Sequence, residues 1–90
     1  MSQVIANPED LERFARELKK FNRQFLDCMR QLQAQFNRLS QTWRDQEHQK
    51  FAREFEQTMR TLYQFQRASN QYIPLLVKKA QKLREYLNQR

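Results

Sequence analysis

Apolar side chains recur every three or four positions in the first half of the chain, which is the spacing of one face of a helix. The stripe starts just after Asn7 and Pro8, which favour a helix start because asparagine caps free N–H groups and proline fits the first turn. The pattern predicts a first helix over about 8–39. Its apolar members are Leu11, Phe14, Leu18, Phe21, Phe25, Cys28, Leu32 and Leu39, with Met29 and Phe36 widening the stripe.

A second apolar stripe fills the other half of the chain, out of phase with the first. The change of phase predicts a turn over about 40–44, where Thr42 and Asp45 form a capping pair and Ser40 offers a second cap. The second helix is then predicted over about 45–88. Its stripe consists of His48, Phe51, Phe55, Met59, Leu62, Phe65, Ser69, Tyr72, Ile73, Leu76, Ala80, Leu83 and Leu87.

Pro74 interrupts the second stripe, because proline has no N–H to donate to the carbonyl of Asn70. We expect either a kink near 70–74 or a break in which Ser69 or Asn70 caps a final helix. In both cases the chain stays all-α. The two stripes predict a single domain over residues 1–90, an antiparallel helix-turn-helix hairpin.

The composition favours long helices that associate. The 90 residues contain no glycine and two prolines, which excludes glycine-rich phosphate loops and Rossmann turns. Seven Phe, three Tyr and one Trp exceed what the seam between two helices hides, so we expect two hairpins to dimerise into a four-helix bundle. The predicted dimer interface consists of Phe14, Leu18, Phe21, Phe25, Leu32, Phe51, Phe55, Leu62 and Phe65.

The net charge of +7 lies mostly in the second half of the chain, where residues 57–90 carry seven basic side chains and one acid, Glu85. One interpretation is a solvated face whose cations suit the C-terminal end of a helix dipole. The others are an anion-binding patch for an acidic protein partner, for nucleic acid or for anionic lipid. The candidate patch consists of Lys78, Lys79, Lys82 and Arg84.

Few residues offer catalytic or metal-binding chemistry. Cys28 lies in the first stripe and is predicted to be buried core. His48 is predicted to be a helix-start residue, because one His and one Cys do not make a zinc set. Several acids have an arginine one helical turn away, which indicates surface pairing. We therefore expect no enzyme activity, no cofactor and no metal; the predicted pairs are Glu9–Arg13, Glu12–Arg16 and Glu56–Arg60.

No segment of the sequence predicts membrane insertion. The longest apolar run, residues 72–77, contains Pro74 and is far shorter than the roughly 20 residues that span a bilayer. The first ten residues lack the basic and apolar regions of a signal peptide. We expect synthesis in the cytoplasm, with any export using another route.

Trp43 lies between the two stripes, with Leu39 four residues before it and Phe51 eight after it. With Asp45 and Phe55, this arrangement resembles the WXG family of type VII secretion proteins over nearly the whole chain. The resemblance implies two long antiparallel helices with Trp43 as the turn tryptophan, and a role as a small secreted substrate or as a dimeric carrier. The implied partners are a second copy or a paralogous hairpin, a larger secreted protein and the secretion ATPase.

The sequence departs from the family pattern in three respects. Asp45 stands where the Trp-x-Gly motif has glycine, and the chain is basic whereas many members are acidic. Family substrates carry a Tyr-x-x-x-Asp/Glu signal after the second helix, but Tyr86 is followed at the fourth place by Arg90. A partner chain could bring the missing signal. For Trp43, two interpretations remain open: it closes the core over the turn, or it is a recognition element at the tip.

Overall fold

A computed structural model of the chain describes residues 6–89, so residues 1–5 and 90 of the predicted domain lie outside the described part. It contains two helices, α1 (Pro8–Leu39) and α2 (Gln46–Asn88), and the described residues include no strand. Contacts between the start of one helix and the end of the other make the pair antiparallel. The molecule is a rod of 69 × 20 × 15 Å. The predicted all-α hairpin is confirmed.

The start of α1 follows from local hydrogen bonding. The side chain of Asn7 accepts hydrogen bonds from the backbone N–H groups of Glu9, at 2.8 Å, and Asp10, at 3.2 Å. Pro8 occupies the first turn, and the two acids lie at the positive end of the helix dipole. The cap that the sequence predicts therefore forms.

The connection between the helices differs in detail from the predicted capping pair. Ser40 ends α1, with its N–H bonded to the carbonyl of Phe36 at 2.9 Å, and Thr42 donates its hydroxyl back to the carbonyl of Leu39 at 3.3 Å. Asp45 alone caps α2, accepting the N–H of His48 at 2.9 Å. Thr42 and Ser40 thus stabilise the end of α1 rather than the start of α2, because their hydroxyls reach carbonyls one turn earlier.

The turn also explains why a glycine is not needed here. No described residue has a positive φ, and Asp45 itself is extended, with φ −81° and ψ −174°. Glycine is required where the backbone turns left-handed, and this turn has no such position. Aspartate is therefore tolerated at the motif position and adds a helix cap.

The seam between the helices uses only part of the predicted first stripe. Ala15, Asn22 and Met29, seven residues apart, are the buried side chains in the middle of α1. Predicted stripe members such as Leu18 and Phe25 are half-buried beside them. Cys28 and the stripe residues seven and fourteen positions before it are exposed. The prediction that Cys28 is buried core is wrong. The stripe is wider than one contact line, and α2 covers its other edge.

The middle of the seam is polar. Asn22 is 1% exposed, accepts a hydrogen bond from the Ser69 hydroxyl at 2.9 Å and donates one to the side chain of Asn70 at 3.1 Å. Because a shift of either helix would leave a buried amide without partners, this layer fixes the register of the hairpin. Ser69 and Asn70 therefore do not cap a separate helix. Of the two alternatives at Pro74, the break does not occur, since α2 continues through Pro74 to Asn88.

Candidate functional site

One side of the hairpin exposes a series of aromatic rings, which we call the aromatic face. Phe21 stacks on Phe25 at 5.6 Å between ring centroids, and Phe25 meets Phe65 edge-on at 5.9 Å. These contacts place Phe21 of α1 and Phe65 of α2 on the same side of the seam. Residues separated by seven positions, or by a multiple of seven, lie in one row along the same face of a helix. The aromatic rings in the rows of Phe21 and Phe65 therefore make up the face, and all are between 42% and 68% exposed: Phe14, Phe21, Phe51, Phe65, Tyr72 and Tyr86.

The predicted interface residues divide into two groups in the structure. Four of the nine are half-buried within the hairpin's own seam: Leu18, Phe25, Phe55 and Leu62. The other five are exposed: Phe14, Phe21, Leu32, Phe51 and Phe65. Sequence reasoning did not include Tyr72 and Tyr86 in the interface, although both lie in the heptad row of Phe51 and Phe65, and this shared row was the available signal.

The turn tryptophan belongs to an aromatic cluster at the tip of the hairpin. Trp43 is half-buried, with its ring 5.1 Å from that of His48 and 5.7 Å from that of Phe51. Phe36 links this group to the seam, since its ring lies 4.5 Å from that of Phe55 and stacks on His48 at 5.6 Å. The cluster closes the seam beside the turn.

His48 ties the two sides of the turn together. Its Nε2 lies 2.8 Å from the hydroxyl of Ser40, at the end of α1, and its backbone N–H is bonded to Asp45. Among residues 6–89, no three His, Cys, Asp or Glu side chains are grouped so that they could hold a metal ion. The contact of the imidazole with the rings of Phe36 and Trp43 and with the Ser40 hydroxyl gives it a packing and hydrogen-bonding role within the tip cluster.

The predicted anion patch loses one member in the structure. Lys78, Lys79 and Lys82 are exposed near the end of α2. Arg84 instead forms a two-pronged ion pair with Glu12 across the seam, through Nη1 to Oε2 and through Nη2 to Oε1 at 2.8 Å. The sequence could not reveal this pair, because its partners are 72 residues apart. The predicted patch therefore reduces to the three lysines.

The ion pairs of the described residues also differ from those predicted along each helix. Arg13 pairs with Asp10 at 2.8 Å rather than with Glu9, and Glu12 pairs with Arg84 rather than with Arg16. No pair within 4.0 Å joins Glu56 to Arg60 in this part of the chain. A neighbour at helical spacing is one of several choices for a long side chain, and exposed pairs differ little in energy.

The pair between α1 and α2 gives the hairpin a pH-dependent contact. Hydrogen bonding from Arg84 holds the pKa of Glu12 below its ordinary value, against a smaller opposing effect of burial. A carboxylate with a lowered pKa stabilises the folded state above the pKa of the unfolded chain, and this contribution is lost as the pH falls through the folded pKa. The open end of the hairpin should therefore loosen in acid.

We predict that Glu12→Gln reduces the acid dependence of the melting temperature. At pH 6 the variant should melt below the wild type, and the difference should shrink as the pH falls below the ordinary glutamate pKa of about 4.3 and Glu12 becomes protonated. Thermal melts followed by circular dichroism between pH 3 and 6 measure this. Glu17→Gln, which removes an exposed carboxylate elsewhere on α1, is the control. If the melting temperatures of wild type and Glu12→Gln changed by the same amount between pH 6 and pH 3, the prediction would be contradicted.

Neither helix of the described region has a stretch long and apolar enough to cross a membrane. The candidate features for function are surfaces: the aromatic face, the tip cluster and the charged sides of the rod.

Comparisons with known proteins agree with this architecture. The crystal structure of the secreted protein ESXB from Bacillus anthracis str. Sterne is similar, with a TM-score of 0.78 and 26% identity over 98% of this chain and 100% of that one. A mutant EsxB from the same organism gives a TM-score of 0.75 at 24% identity over 100% and 99%, a likeness of fold. No curated protein matches the sequence. Residues 3–86 match the family model WXG100, proteins of 100 residues with WXG, and the chain therefore belongs to the WXG100 family.

Proposed function

We propose that this chain is a small, secreted, non-enzymatic hairpin protein that works as a homodimer, with two copies packed into a four-helix bundle. In this role it is a substrate or a carrier of a type VII-like secretion system. Family membership and the likeness to a secreted protein of similar fold support the proposal. The export route, the pairing and the lack of catalysis are the parts that experiments have to test.

The extended shape of a single chain is the observation that supports dimerisation. Its accessible surface is 7730 Å², and a compact monomer of 11.2 kDa would expose roughly 5,700 Å². Its radius of gyration is 20.4 Å, against about 12 Å for a compact domain of this length. A lone hairpin thus leaves surface uncovered that a small domain normally buries, and a second hairpin is the simplest cover.

The aromatic face supplies the apolar part of such an interface. Six half-exposed aromatic rings together present about 600 Å² of apolar surface along one side of the rod. The face extends along a rod 69 Å long and 20 Å wide. This is enough length to bury the roughly 800 Å² per partner of an ordinary stable interface.

The tyrosines of this sequence bear on the proposed export route. None of the three tyrosines has an acid four residues later: Tyr63 is followed by Arg67, Tyr72 by Leu76 and Tyr86 by Arg90. We infer that a partner supplies the signal, either a paralogous hairpin or a larger secreted protein, which then engages the secretion ATPase. The homodimer would then either form before the complex with the signal-bearing partner or carry that complex to the secretion ATPase.

Light scattering on the purified chain tests the pairing. At micromolar concentration the molar mass should be twice 11.2 kDa. A monomer that melts cooperatively at the same concentration would contradict the proposal. For the export part, the tagged chain should accumulate in the medium of its native host and be retained when the secretion ATPase is deleted. Equal accumulation with and without the ATPase would contradict a type VII-like route.

The alternative function, binding of nucleic acid or anionic membrane through the C-terminal half, has less support. Lys78, Lys79 and Lys82 stay exposed, but Arg84 is engaged with Glu12. Strong retention on heparin with a steep dependence on salt, lost when the three lysines are replaced, would favour it.

A further inference from the structure

The side of the hairpin opposite the aromatic face carries a regular arrangement of arginines around an apolar centre. On α1, one arginine lies three residues before Leu26 and another four residues after it, and α2 repeats this spacing around Tyr63. Residues three and four apart are neighbours on a helix surface, so each apolar side chain has an arginine on either side along its helix. The four residues, which we call the arginine frame, are Arg23, Arg30, Arg60 and Arg67.

Contacts across the seam determine where the frame lies. Leu26 is in the heptad row of Glu12, and Tyr63 is in the row of Asn70 and Arg84. The ion pair between Glu12 and Arg84 connects these two rows. It lies on the side of the seam that faces away from the aromatic face. The pairing of Asn22 with Asn70 then places Leu26 and Tyr63 within about one helical turn of each other along the rod.

The frame is exposed, and no carboxylate in the described part of the chain forms an ion pair with it. All four arginines are exposed, whereas Leu26 and Tyr63 are half-buried. No carboxylate oxygen of residues 6–89 comes within 4.0 Å of the four guanidinium groups, although Asp27 and Glu56 lie one turn away. The arginines recur once more along each helix, since Arg16 lies seven residues before Arg23 and Arg53 lies seven residues before Arg60, and both are exposed.

We propose that the arginine frame binds an acidic amphipathic helix of another protein, which lies along the groove between α1 and α2 as a third helix. Arginines seven residues apart are about 10.5 Å apart along the axis, and carboxylates seven residues apart on a partner helix repeat at the same distance. The guanidinium group matches carboxylate geometry through paired hydrogen bonds. Leu26 and Tyr63 then meet the apolar stripe of the partner helix.

The apolar centre favours a helix over a nucleic acid. A phosphate backbone would use the four charges but has no apolar stripe to place against Leu26 and Tyr63. A second copy of this chain is also a poor occupant, because the sequence has 17 basic and 10 acidic residues, so two copies repel each other. The partner is therefore a different, acidic protein.

This surface is independent of the proposed homodimer. The aromatic face and the arginine frame lie on opposite sides of the hairpin, so a dimer leaves the frame open on each protomer. Failure to dimerise would not remove the frame, and failure to bind an acidic helix would not affect the dimer.

The experiment measures the affinity of the full chain for a labelled synthetic peptide by fluorescence anisotropy, at about 0.15 M salt. The probe is a 21-residue helical peptide with leucines at the two seam positions of each heptad and glutamates at the two flanking positions. The fourfold variant Arg23→Gln, Arg30→Gln, Arg60→Gln, Arg67→Gln should lower the affinity by at least about tenfold. Because all four side chains are exposed, the variant should keep its helical circular dichroism spectrum.

A matched variant controls for net charge. Arg13→Gln, Arg38→Gln, Arg44→Gln, Lys50→Gln removes four exposed charges that lie at least eight residues along the chain from any arginine of the frame, and should change the affinity less than about twofold. An equal loss in both variants would mean unspecific attraction between charges and would overturn the proposal.

Two further probes separate the partner classes. A peptide whose leucines are replaced by serine should bind at least about tenfold more weakly, because burial of several leucines is lost; equal binding would overturn the proposal. A 21-base-pair DNA duplex that bound more tightly than the acidic peptide through the same arginines would show a nucleic-acid surface and would also overturn it.

Discussion

Replacing Phe21 and Phe65 together by aspartate should convert the proposed dimer into a monomer. Both rings belong to the aromatic face and are about half exposed in the single hairpin, at 48% and 53%. In a symmetric dimer each change is present twice, so four carboxylates would have to be buried without partners. We expect the dimer affinity to fall about a thousandfold or more, with the molar mass by light scattering falling to that of one chain at micromolar concentration.

A matched variant separates loss of the interface from loss of the fold. Gln64→Asp with Gln71→Asp introduces the same two charges at exposed positions of α2 outside the aromatic face, and it should remain a dimer. Circular dichroism should show both variants helical. A dimeric Phe21→Asp, Phe65→Asp variant would mean that the chains associate through another surface.

Replacing Trp43 by alanine should lower the free energy of unfolding by about 3 kcal/mol, at a fixed protein concentration. The ring packs on His48 and Phe51 and closes the seam at the turn, so its removal leaves a gap beside the tip cluster. The figure is at the low end for tryptophan because the side chain is half-buried. Urea denaturation followed by circular dichroism measures the change.

Two control variants make the result at the tip specific. Trp43→Phe keeps an aromatic ring and should recover a large part of the lost stability, whereas Arg44→Ala removes an exposed neighbour and should change the stability by less than about 0.5 kcal/mol. An unchanged unfolding curve for Trp43→Ala would favour the other interpretation, in which the tryptophan is a recognition element.

The sequence was informative wherever the physics is local. The cap at Asn7 and Pro8 needs only neighbouring residues, so the start of α1 follows from four successive side chains. The change of phase between the stripes located the connection, because no helix can serve two apolar faces that point in different directions. The cap at Asp45 was found among the predicted residues, but the role of Thr42 depended on the path of the turn.

The polar seam shows the limit of pattern reasoning. Asn22 lies between apolar residues of a stripe and looks like an outward-facing position, yet it is among the most buried side chains described. Its burial is tolerable only because Ser69 and Asn70 arrive from the other helix with matching hydrogen bonds. No local sequence pattern in either helix predicts that these side chains will form hydrogen bonds with each other.

By itself, the sequence determined that this protein is two long helices joined by a short turn, since periodicity and capping act over a few residues. The tertiary structure alone decided which edge of the wide apolar stripe faces α2, leaving Cys28 and Phe21 outside and Ala15 and Met29 inside. It also decided that Arg84 pairs with Glu12. The physical reason is that one neighbouring helix covers only part of a broad apolar face, and the choice depends on packing between residues far apart in the chain.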